Sequence, residues 1–533
     1  MTDTGYASEY ASMILQRNRI PMPSADFVPN WPDKPRPTKH YPGALSFPLP
    51  DDPQPAAQAA DPPDERGEPG EPGEPGDEPF TLPVLGAMLR DSYGLTGRRL
   101  AIQANTDVHG YPFYARANWS RGTASGGGLY PCSVYWIAGP GAGVCPGVYH
   151  YACRTHAMQR LLAGDVTHLV RAALGTDTGA SQFLVVGVKY WANAFKYNTF
   201  AYHAVSMDVG TLVQTWRLLA GGRRRIAPHF WFDQAALGGL LGLPDDEEGL
   251  FAVVPLTWAT PAAGVGPGPA GAVAVRRRDQ EKSRVVLTFD AVRRIHRATA
   301  AAADDRPAPG SLAAAAAAPP TGGGDRIALP PARPPQMPVR AALTRRRSSF
   351  GRFDASVPMT TADLAGLLVA AQAAQLPTEV ATPGDGHLVK LYTFVNHVRG
   401  VPAGSYEYDP ARHQLRAVRT GSPATFLQRN YFLPNYNLEQ AAAVVVPAVR
   451  VGAVLEATGP RGYNVVNATI GAVAQTFYTA AAALGLGCGV ALGFDGVSYI
   501  EELGLTATGE TPLLIMLAGH ERALTSDYRY ELR

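Results

Sequence analysis

"GVYHYACRTHAMQRL", which begins at Gly147, returns as "GSYEYDPARHQLRAV" from Gly404, 257 residues further on. "AYHAVSMDVGTLVQTW" from Ala201 returns as "GYNVVNATIGAVAQTF" from Gly462, an offset of 261. "FDQAALGGLLGL" from Phe232 returns as "FDGVSYIEELGL" from Phe494, an offset of 262. Three matches in one order, with offsets that drift by only five residues, make the chain an internal duplication. Each half must then fold as a similar unit. Two like units on one chain pair as an isologous dimer does, with its subunits joined. Within each copy, "CSVYWIAG", "FLVVGVKYW" and "LYTFVNHV" are short β-branched or aromatic runs that read as strands. "VGTLVQTWRLLAG" and "GAVAQTFYTAAAALGLG" read as apolar helices, the second closed by Gly. The expected fold is α+β, two tandem domains forming a pseudo-dimer within one chain.

The first copy is expected over residues 1–260 and the second over 339–533, joined by a connecting segment, 261–338. Thr299–Pro338 is Ala, Pro and Gly rich and reads as a linker that builds no core. Asp51–Pro79 carries GEP triplets and acid, and reads as an unpacked insertion in the first copy. A net charge of +2 over 533 residues exerts no pull toward nucleic acid or a membrane surface. Cys132, Cys145, Cys153 and Cys488 form no CxxC pair, so neither a metal site nor a disulfide framework is expected. "MTDTGYASEYASMILQRNR" lacks the basic and apolar regions of a signal peptide, and no apolar run reaches the length of a membrane span. These features read as a cytoplasmic protein.

Lys196-Tyr197 stands just before the apolar helix of the first copy. Taken alone, such a pair is a solvated cation beside a half-buried ring. Its neighbours change that reading. "SRGTASGGGLYPCSVYWIAG" (Ser120–Gly139) followed by "GVYHYACRTH" resembles the azoline dehydrogenases of the nitroreductase-like superfamily, with their Ser-Gly-Gly-x-Leu-Tyr-Pro loop. "KYNTFAYHAVSMDVG" resembles the Lys-Tyr element before the long helix of that group. "TRRRSSFGRFD" from Thr344 resembles the Arg-x-Ser flavin-phosphate motif, and "GLGCGVALGFDGVSYIEELGL" from Gly485 resembles the Gly-Phe-Asp segment beside the flavin. The resemblance covers nearly everything outside the two low-complexity segments.

It implies FMN as cofactor and a peptide bearing thiazolines or oxazolines as substrate, oxidised to thiazoles or oxazoles. A cyclodehydratase is an expected pathway partner, and the Ala, Arg and Pro richness suits a thiopeptide pathway. Arg345, Arg346, Arg347, Ser348 and Ser349 offer cations and hydroxyls to a phosphate. Ser125, Gly126 and Gly127 allow backbone to approach a flat ring, and Leu492 and Gly493 are expected on its other side. Removing two hydrogens from adjacent ring carbons needs a base and no metal. Lys196 is expected to be that base, with Tyr197 orienting it, relaying the proton or binding substrate. Lys189-Tyr190 does not match the family spacing.

The two copies are unequal. Lys196-Tyr197 corresponds to Ala457-Thr458, Gly493 corresponds to Trp231, and the SGGGLYP loop corresponds to "PGDGHLVK" from Pro383. The phosphate-like motif of the first copy is at best "RPTKHY" (Arg36–Tyr41). The second copy keeps what holds the phosphate, and the first keeps what covers the ring. One intact site and one degraded site are expected. Two other readings stay open: another flavin reductase of the superfamily, and a non-catalytic scaffold of a peptide-modifying complex. A serine hydrolase lacks its GxSxG elbow, a P-loop lacks GKS or GKT, and no GxGxxG fingerprint follows a strand.

Overall fold

Two long helices, Ala201–Ala220 and Gly462–Ala483, cross at the centre of the molecule. Both are almost wholly buried, which is why neither shows a polar face in sequence. They touch backbone to backbone at Gly210 and Gly471, which are equivalent in the repeat. A Cβ on Gly210 would overlap the carbonyl oxygen of Ala468, and one on Gly471 that of Met207. Only glycine permits this approach, so the pair fixes the pseudo-twofold crossing. The computed structural model describes residues 5–50, 76, 78–105, 110–260, 273–320, 322–382, 384–523 and 529–532. The Asp51–Pro79 insertion falls mostly outside the described residues, as does Pro383.

Each copy lays an antiparallel sheet beside its long helix. The first runs in the order Leu45–Pro48, Ala157–Ala163, Gly147–Ala152, Cys132–Ala138, Gln182–Lys189, Glu248–Leu256. The second runs Arg326–Ala328, Gln414–Thr420, Gly404–Asp409, Lys390–Val395, Ala443–Val449, Ile515–Gly519, Gly487–Ala491. The two orders match strand for strand. Gly487–Ala491 corresponds to the stretch around His229, which bridges Val253. The central strands are buried on both faces and read as Val-rich apolar runs. One apolar core holds Trp216, Val205 and Leu212 of the first copy together with Ile470, Phe477 and Ala481 of the second. Trp216 is fully buried and donates its indole N–H to Ser92 Oγ at 3.0 Å, so it adds area without an orphaned donor.

The linker expected over Thr299–Pro338 is corrected by the structure. Its Arg326–Ala328 is the edge strand of the second sheet, the counterpart of Leu45–Pro48. Leu312, Ala315 and Leu329 are buried in the core. The helix Asp290–Ala301, which runs into its first residues, packs on Gly5–Gln16 and on the first long helix. The sequence misleads here because Ala carries no periodic signal: an Ala-rich stretch is small enough to fill gaps between elements that are already in place.

Candidate active site

The Ser125–Gly128 loop follows a strand of the first copy and sits at the junction between the copies. Gly127 and Gly128 have φ of +62° and +67°. A Cβ on Gly127 would overlap Tyr197 Oη and lie 2.6 Å from Lys196 Nζ, whereas one on Gly128 would meet nothing within 4 Å. Lys196 and Tyr197 end the short helix Trp191–Tyr197, and the Lys196 ammonium lies 4.8 Å from the Tyr197 ring centroid. The fold therefore brings the Lys-Tyr pair onto the glycine loop.

Both copies hold that loop. From the first long helix, Asp208 accepts from Ser125 Oγ at 2.7 Å and from Gly126 N at 2.9 Å. Burial pushes the Asp208 carboxyl up to about 7, against these two hydrogen bonds, which favour the anion. From the second long helix, Gln475 Oε1 accepts from Ala124 N at 2.8 Å. Arg346 donates to the carbonyls of Arg121, Gly122 and Thr123 at 3.0–3.2 Å. Arg346, expected on a phosphate, thus directs three donors at the loop backbone. Arg121 is buried between the rings of Tyr93 and Tyr130, at 4.5 and 4.4 Å.

The other expected cofactor residues lie along the strand Gly487–Ala491. Ser349 is buried; its Oγ accepts from Cys488 N at 2.7 Å and its own N donates to Cys488 O. Ser348 Oγ lies 2.8 Å from Tyr478 Oη, which accepts from Val490 N. Arg347 and Arg352 both pair with Glu521. Arg345 closes the helix Val339–Arg345. Arg99, from the first copy, reaches the carbonyls of Thr344 and Arg346, and its buried Nε has no partner among the described residues. Burial and the nearby Arg346, Arg529 and Arg347 lower the Arg99 guanidinium to about 10. Leu492 O accepts from Arg17, whose guanidinium lies 4.9 Å from the Phe200 ring centroid, and Phe200 in turn packs on Tyr197. Gly493 O accepts from Phe432 N at 2.9 Å.

These residues fit a flavin mononucleotide. The glycine cradle suits a flat ring, and an arginine cluster with an orphaned buried donor suits a phosphate dianion. The sequence reading missed Asp208, Gln475, Arg99 and Arg17. Asp208 had a visible signal, a lone carboxylate in an apolar helix, and Gln475 had its repeat match; Arg99 and Arg17 had none.

The pseudo-symmetric location is filled. Trp231 is fully buried there, and Glu379 accepts from Phe230 N and Trp231 N at 2.7 Å each. Arg461, the counterpart of Phe200, donates to Phe230 O at 2.8 Å, and Arg306 donates to Trp231 O at 3.0 Å. Ser311–Ala315 packs on the helix Val451–Thr458, which ends in the Ala457-Thr458 pair. Lys39 of the weak motif is buried in an ion pair with Glu248. Lys189 pairs with Asp279 and Glu281 at 2.6 and 2.7 Å, and Tyr190 bonds His296.

A profile of the Nitroreductase family matches residues 343–520. A protein of Methanocaldococcus jannaschii assigned as a nitroreductase is 30% identical over 187 residues, covering 34% of this chain and 89% of that one. A crystal structure assigned as a nitroreductase, from Anabaena variabilis, superposes with a TM-score of 0.71 at 22% identity, over 97% of this chain and 99% of that one, which supports the fold alone. The Escherichia coli microcin synthetase McbBCD complex, solved with truncated pro-MccB17 bound, matches 34% of this chain and 70% of its own at 19% identity. Its TM-score of 0.29 is too slight to argue from.

Proposed function

Because this chain belongs to the nitroreductase family and is an oxidoreductase of that superfamily, we propose that it is an FMN-dependent dehydrogenase. Its substrate in this reading is a peptide whose thiazolines or oxazolines become thiazoles or oxazoles. The observation that carries the reading is the contact of Lys196 Nζ and Tyr197 Oη with Gly127 of the glycine cradle. A reductase that only relays hydride has no use for a base at that place.

Oxidation takes one proton and one hydride from adjacent azoline carbons: the pair left by the proton becomes the C=C bond that makes the ring aromatic, and the other pair leaves with the hydride. When bound, the flavin supplies the hydride acceptor. Lys196 Nζ removes the proton from the carbon next to the carbonyl. Tyr197 Oη, on the same glycine, orients the amine or hydrogen-bonds the substrate. Asp208, Gln475 and Arg346 keep the loop under both. Molecular oxygen is the terminal electron acceptor, and a cyclodehydratase acting earlier would supply the azolines.

Purified protein incubated aerobically with an azoline peptide should lower the peptide mass by two hydrogens per ring. Rapid anaerobic bleaching of the flavin by NADPH, with no change in peptide mass, would replace this reading with that of a reductase. A protein that neither carries nor binds flavin would leave the scaffold.

A further inference from the structure

The first long helix carries one carboxylate inside its buried run, Asp208, flanked by Val205, Met207, Val209 and Leu212. An anion there is expensive to bury, and the packing of the helix does not require it. Both of its oxygens are committed to one object. Oδ2 takes the Ser125 hydroxyl and Oδ1 takes the Gly126 amide. Ser125 Oγ then accepts from Tyr130 N at 2.8 Å, so the carboxylate fixes the two ends of the turn through a single hydroxyl. The next residue, Gly127, is the one against which Lys196 and Tyr197 rest. The other titratable groups that feel Asp208 are the Tyr93 phenol and the Cys132 thiol, both kept protonated by burial, so neither competes for it.

We propose that Asp208 is a positioning residue: it holds the Ser125–Gly127 loop in the conformation that receives the flavin ring and meets Lys196 and Tyr197. This rests on the flavin reading above. It differs from the role of the arginine cluster because it acts at the ring end of the cofactor, not the phosphate end.

The test is a fluorescence titration of the apoprotein with FMN and, separately, with riboflavin, paired with melting temperature. Asp208→Ala removes both acceptor oxygens without adding volume to the buried site. It should weaken FMN and riboflavin by the same factor, about 10- to 100-fold for lost hydrogen bonds to a charged group. Its melting temperature at pH 8 should hold, because the loss of a buried anion offsets the small space left. Asp208→Asn keeps the side-chain volume and an acceptor for Gly126 N–H and should bind both ligands within a few-fold of wild type. Ser125→Ala should weaken both ligands, and Ser125→Ala with Asp208→Ala should bind no worse than Asp208→Ala alone. Wild-type affinity in Asp208→Ala would overturn the proposal, as would a fall in melting temperature that accompanies the lost affinity. If Asp208→Ala does not fold, the Ser125→Ala and Asp208→Asn pair decides: Ser125→Ala binding like wild type overturns it. A wild-type apoprotein that binds neither ligand overturns the flavin reading instead.

Discussion

Lys196 and Lys189 are seven residues apart and have different partners. Lys189 is held by two carboxylates, and although burial alone would lower it, Asp279 and Glu281 keep its ammonium above the ordinary lysine range. It cannot serve as a base near neutral pH. Lys196 has a ring and a glycine as its neighbours. Lys196→Ala should therefore keep its flavin and lose about 10²–10⁴ in azoline turnover, while Lys189→Ala keeps most turnover. Peptide oxidation assayed by mass checks both, and normal turnover by Lys196→Ala would sink the proposed base. Arg347 offers a second contrast. Its guanidinium pairs with Glu521 now, and a phosphate dianion is the stronger partner. Arg347→Ala should weaken FMN and leave riboflavin unchanged, whereas a ring-side change weakens both alike. Equal loss of both ligands would move the phosphate elsewhere.

At the scale of elements, the crossing of the long helices rests on an area with no side chains. Gly210→Ala or Gly471→Ala puts a methyl group into a carbonyl oxygen and must push the helices apart. Overpacking of this kind typically costs about 1–3 kcal/mol. Because the loop is held by Asp208 on one helix and Gln475 on the other, the same change should also weaken flavin binding. Thermal melts with flavin fluorescence would show the two effects together, and a variant with unchanged melting would mean that the helices separate freely. Much of this element was legible in sequence, since Gly210 and Gly471 align and both helices are apolar runs. What was not legible was the loop's anchoring. Asp208 and Ser125 lie 83 residues apart, Gln475 and Ala124 lie 351 apart, and no local pattern joins them. The fate of Thr299–Pro338 was hidden for a different reason: its composition is that of a spacer, and only the edge of the second sheet gives Arg326–Ala328 a partner.

For the molecule as a whole, the filled second location bears on stoichiometry. Trp231, Glu379 and Arg306 stand where the first site has Gly493 and the glycine loop, so we expect one flavin per chain. Flavin released by heat, measured against protein, checks this, and two per chain would refute it. Acid sensitivity is a second whole-chain property. Burial lowers His150 to about 3, and His229 and His296 to about 4. Their folded values lie below the ordinary 6.5, so the unfolded chain binds more protons between 6.5 and 4 and stability falls as pH drops through that window. Asp208 has the opposite sign: its folded value of about 7 lies above the ordinary 3.8, so stability falls as pH rises between them. Burial also lowers His203, and raises the Glu379 carboxyl with the sign of Asp208; the lowered histidines outnumber these carboxyls, at about 1.4 kcal/mol per pH unit for each proton. Melting temperature should therefore drop below pH 6, and His150→Gln should flatten the drop; a flat profile in the wild type would contradict the burial.

The glycine contact between the two long helices has one more consequence. In a symmetric homodimer, every substitution is made twice, and a change that helps one face of the interface is imposed on the other. Joining the copies ends that coupling. Gly127 can keep its lysine and tyrosine, while the opposite corner accumulates tryptophan and glutamate, because each position is inherited once. The crossing at Gly210 and Gly471 still treats the halves as equals and so keeps the frame registered while the corners diverge. Variation on one side is thereby freed from a veto by the other.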